Sequence, residues 1–123
     1  MGIKLIKISV VYFMMGGCLG LYMLMTHHYS FTSVHAHISF LGWTALTLAG
    51  LIYHFFPETS DTGLAKAHFW LHNLGLPVML IGLIFFIRSG EEAFIPVITT
   101  GGLVTTLSIL LFGMNILTKL KAN

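Results

Sequence analysis

The chain has 123 residues, of which 56% are apolar and 8% charged, with a net charge of +2 and seven histidines. So few charged residues cannot coat a soluble fold of this size, and the small positive balance gives no footprint for a nucleic-acid partner. A single cysteine, Cys18, excludes a disulfide framework and a paired-cysteine metal motif.

The apolar residues fall into four long runs, and a spanning helix needs about 20 such residues. Spans are predicted over residues 8–27, 35–56, 67–88 and 93–117. The first follows Lys4 and Lys7 and ends Leu24-Met25-Thr26-His27-His28, with no small-residue cleavage site, so it is read as a span rather than a signal peptide. Gly16 with Gly20 and, in the second span, Ala45 with Ala49 are small-xxx-small pairs that let helices approach closely. Pro57 ends the second span, and Glu58, Thr59, Ser60 and Asp61 supply loop and helix-entry chemistry. Pro77 is expected to kink the third span.

Connections of a few residues predict an all-α integral membrane protein: four transmembrane helices in an antiparallel up-down bundle, one domain over residues 1–123. Lys4, Lys7, Lys66, Lys119 and Lys121 fall on one side of this arrangement and Arg88 on the other. Both termini are therefore expected to be cytoplasmic.

The same topology sorts the histidines into two layers. His27, His28, His35 and His37 lie at one membrane surface, and His54, His68 and His72 at the other. His37 and His54 are separated by roughly 25 Å of helix, so one metal cannot bridge the layers. His35 and His37 stand about 200° apart around a helix and cannot both ligate one ion from an undistorted turn. They can serve two centres, one on each side of the second span, or one can be an interfacial histidine bonded to a carbonyl or water. His68 and His72 share a face, and with His54 they suit either a metal or a polar interhelical network. Met23 and Met25 beside His27 and His28 form a soft donor set that would suit copper, although residues 23 and 25 point to opposite sides and methionine is common core filler.

The stretch from His35 through His37, Gly42 and Trp43 to Gly50-Leu51-Ile52-Tyr53-His54-Phe55-Phe56-Pro57 resembles the tenth helix of the catalytic subunit of heme-copper oxidases. It looks most like the cbb-type oxidases, with nitric oxide reductases as more distant relatives. Lys66-Ala67-His68-Phe69-Trp70-Leu71-His72-Asn73-Leu74-Gly75 is similar to the opening of the family's following helix, where His-Phe-Trp is not a haem ligand. The resemblance implies that His35 and His37 are axial ligands of haem b, that Gly42 gives room for the macrocycle, and that Trp43 helps to enclose it. The family has about twelve helices in three arcs of four and draws further ligands from its second, sixth and seventh helices. This chain has one arc and no His-x-x-x-Tyr, so a complete oxygen-reducing centre in one chain is not expected.

A homotrimer would imitate the large subunit, with His37 of one protomer facing His35 of the next across a haem. The implied function is electron transfer or diatomic-gas interaction in a bacterial cytoplasmic (inner) membrane, with a redox partner. Two alternatives of other classes are a copper- or zinc-binding protein in metal handling, using the Met/His group or His54, His68 and His72, and a structural subunit of a larger oxidase.

Overall fold

The computed structural model describes residues 1–122, and every regular element among them is helical. Four helices are long and apolar enough to cross a membrane: α1 (Gly2–Thr26), α2 (Thr32–Phe55), α3 (Gly63–Ser89) and α4 (Glu92–Lys119). One further helical turn, Pro57–Ser60, lies between α2 and α3.

The helices outrun the apolar runs because their ends are set by caps and stems rather than by hydropathy. α1 takes in Lys4 and Lys7, both exposed, whose aliphatic stems let a charge leave an apolar helix end. α3 starts at Gly63 because the Thr62 hydroxyl accepts a hydrogen bond from the Ala65 N–H at 2.9 Å. It stops at Gly90, whose φ of 70° suits a residue without a Cβ. Pro77 lies inside α3, which continues through it as one helix.

α1 packs along α2, and α3 along α4. In the first pair Gly2 meets Gly50 and His54, Tyr12 fills the space beside Gly42, and Gly16 meets Ile38. In the second pair Gly75 meets Thr105, Gly82 meets Val97 and Ile98, and Gly101 lies directly on the Met79 backbone. Leu5, Leu46, Tyr53, Ala65, Leu76 and Leu80 join α1, α2 and α3 in one core, with Phe112 and Ile116 of α4 packed against it. Phe13, Leu24, Phe40 and Leu117 face outward, as expected where lipid is the solvent.

Within α2, Ile38–Thr44 is π-helical. The Ala45 N–H reaches the Phe40 carbonyl, and the Thr44 hydroxyl donates to the Ser39 carbonyl at 3.2 Å. Buried positions step by four through this stretch, at Val34, Ile38, Gly42 and Leu46, before Ala49 and Tyr53 resume ordinary spacing. A wider turn of this kind displaces the buried face by about one residue, roughly 100°, relative to an unbroken α-helix. Tyr53, rather than Ile52, therefore takes the core-facing position, and His54 is exposed.

Candidate functional site

His35 and His37 occupy the first turns of α2 and point to different sides. The His35 ring is half-buried against α1, where Gly20 makes room for it: a Cβ there would stand 3.1 Å from His35 Nε2. The His37 ring turns away from α1, with Nδ1 2.7 Å from the Ser33 carbonyl oxygen. A carbonyl only accepts, so Nδ1 carries the proton and Nε2 keeps its lone pair. Metal-ligating histidines are commonly fixed in this way, the second ring nitrogen donating to a backbone carbonyl.

His37 borders an open, shallow concavity of about 250 Å³ with Ala36, Phe40 and Leu41. Ligand cavities run to about 300–1,000 Å³, so one protomer offers a ligand and one apolar wall rather than an enclosed macrocycle pocket. His37 fits an axial ligand of haem; His35, packed beside Gly20, is not brought to the same concavity. Gly42 and Trp43 are also committed elsewhere. Tyr12 takes the room beside Gly42, and Trp43 stacks on Phe13 with ring centroids 4.3 Å apart.

At the other end of α2 the structure brings together two of the three expected histidines. His68 and His72 are buried, edge-on, with ring centroids 5.5 Å apart. Tyr53 stands where the sequence pointed to His54: its hydroxyl is 2.9 Å from His68 Nδ1. His72 Nε2 donates to the Leu41 carbonyl at 3.0 Å, inside the π-helical segment, and His72 Nδ1 has no hydrogen-bond partner. His54 is exposed, edge-on to Phe55. Among the described residues no three of His, Cys, Asp and Glu stand close enough to hold a metal ion. The soft set is not gathered either, since Met23 is buried while Met25, His27 and His28 are exposed.

Asn115 extends this polar region and is not singled out by sequence reasoning. Fully buried in α4, it donates through Nδ2 to the Thr59 carbonyl at 2.6 Å and accepts at Oδ1 from the Thr62 hydroxyl at 2.8 Å. It thereby pins the turn between α2 and α3 to α4. The available signal is the lone carboxamide in a span whose other uncharged polar residues are threonines and a serine, which can bond their own helix's carbonyls as Thr105 and Ser108 do.

Four membrane-length helices with a histidine-bearing second helix define an all-helical transmembrane protein. No family model and no solved structure matches it. Over 57 residues, 42% of this chain, it is 33% identical to the Cbb3-type cytochrome c oxidase subunit CcoN1 of Stutzerimonas stutzeri. The matched region spans only 12% of that relative. The similarity supports a distant relationship to the heme-copper oxidases, carried by a much shorter chain.

Proposed function

We propose that this chain is a haem b-binding membrane protein related to the heme-copper oxidases, acting in electron transfer or diatomic-gas interaction at a bacterial cytoplasmic membrane. The observation that carries the proposal is the state of His37: the Ser33 carbonyl holds its Nδ1 proton, which leaves Nε2 free beside an apolar wall. Bound haem would supply one-electron redox chemistry and, with one axial position open, a place for a gas ligand. His37 would hold the iron, and Phe40 and Leu41 would keep water from it.

The half-pocket in each protomer supports a shared site. In a homotrimer, His35 of a neighbouring protomer, turned from its place beside Gly20, would supply a second ligand, which suits electron transfer, whereas His37 alone would leave the position for a gas. The residue pairs Gly82 with Val97 and Gly75 with Thr105, and Gly2 with Gly50 and Gly16 with Ile38, support four helices running up and down as one domain. Both termini then share a side, which the lysines make cytoplasmic.

The test is an absorption spectrum of protein purified in mild detergent, oxidised and dithionite-reduced, with a pyridine haemochrome assay. The expected result is a b-type α-band at about one haem per chain. Colourless protein from haem-supplied cells overturns the reading. The matched relative is named as a subunit, which favours a second reading in which this chain packs against a larger oxidase; a colourless chain that co-purifies with such a partner would bear that out.

A further inference from the structure

An apolar cleft runs between α1, the first half of α2, and α3, away from the His37 wall. Its two lobes, about 400 Å³ and about 390 Å³, share Met15, Ile38 and Ile84. Along α1 it extends from Ile8 to Leu19, about 16 Å of helix. The walls are overwhelmingly hydrocarbon, and the cleft opens laterally. Left empty, such walls forfeit dispersion contacts on one side.

Chemistry selects the occupant. A polar ring system would find almost no donors or acceptors in the lining, whereas a flexible alkyl tail meets the apolar walls along their whole length. Arg88 lies one turn beyond Ile84 in α3, on the same face by its four-residue spacing, and is exposed. The ion pair found among the described residues, Lys66 with Asp61 at 3.9 Å, lies elsewhere. An uncommitted guanidinium therefore stands near the level where a tail leaving the cleft would carry its phosphate. We infer that the cleft holds one phospholipid, with an acyl chain along Met15, Ile38 and Ile84 and its phosphate on Arg88.

The test measures phospholipid per chain, by mass spectrometry of solvent extracts, after exhaustive exchange of the full-length protein into lipid-free detergent. Wild type should retain about one phospholipid per chain. Ile84→Trp, which fills the wall common to both lobes, should lower retention about tenfold, and Arg88→Gln several-fold. Leu117→Trp, on the outward face of α4 (Leu117 is 86% exposed), should leave it unchanged. Far-UV circular dichroism and a monodisperse elution profile confirm that each variant is folded, and Ile81→Trp replaces Ile84→Trp if the latter is not. The inference is overturned if wild type retains no phospholipid, if the tryptophan variant retains as much as wild type, or if an isoprenoid quinone is extracted instead. It is also overturned if Cys18, which lines the cleft, cross-links to Cys18 of a second protomer, because a copy of the chain would then fill the space. None of these readouts depends on haem.

Discussion

His37 and His72 are held by the same device and differ in what lies beyond it. Each gives one ring N–H to a backbone carbonyl, Ser33 for His37 and Leu41 for His72, and each keeps a lone pair on the other nitrogen. For His72 that lone pair is enclosed without a partner; for His37 it belongs to a half-buried ring beside an open wall. His37, rather than His72, is therefore the histidine to which the proposed haem is assigned. His37→Ala should abolish the reduced α-band or convert the spectrum to another spin state, because an axial ligand sets both. Ser33→Ala should change haem occupancy by less than about twofold, because the acceptor at 2.7 Å is the main-chain carbonyl and the serine hydroxyl lies at 3.5 Å. Titrating haem into the apoproteins measures both. Equal losses in the two variants would mean that the hydroxyl, not the carbonyl, sets the tautomer.

Helix packing turns on where backbones touch. At Gly101 an added Cβ would fall on the Met79 backbone and stand 2.8 Å from the Gly75 carbonyl oxygen, and backbone cannot swing aside as a side chain can. Gly101→Ala should therefore force α3 and α4 apart and cost about 1–3 kcal/mol. Gly113→Ala, in the same helix with open space around it, should be neutral or gain about 0.5–1 kcal/mol from helix propensity. Thermal unfolding in detergent orders the two variants, and similar midpoints would contradict the close crossing.

Sequence patterns reach this scale unevenly. Hydropathy located all four helices, because lipid demands long apolar runs, and the pair Gly16 and Gly20 does lie on the α1–α2 contact. The tighter crossing at Gly75 and Gly101 escaped because it depends on which faces meet across two helices. The π-helical turn in α2 escaped too. The depth argument put His54 at the level of His68 and His72 without fixing which way it points, and the wide turn advances the core-facing position from 52 to 53, so Tyr53 reaches His68. Neither Gly42 nor Trp43 bears on the open wall, since Tyr12 and Phe13 on α1 claim them and no local motif reveals a neighbour's side chains.

For the whole molecule, the decisive property is that one protomer presents His37 beside a single open wall. If the site is completed between copies, the contact is heterologous: His37 on one side, His35 on the other, closing into a ring after three steps. Complementation isolates that arrangement. His35→Ala and His37→Ala chains each lack one ligand everywhere, so homotrimers of either variant have no junction with two histidines. Co-expressed in equal amounts and purified as hetero-trimers, they should regain the two-histidine spectrum at about a third of the junctions, the one in each trimer where an intact His37 of one variant meets an intact His35 of the other. Were both ligands drawn from one chain, mixing could restore nothing, since no chain would carry both. Co-expression with orthogonal affinity tags, followed by tandem purification and haemochrome assay, separates the cases. A restored signal requires a shared site, whereas its absence in tagged hetero-oligomers that elute as trimers would confine the haem to single protomers.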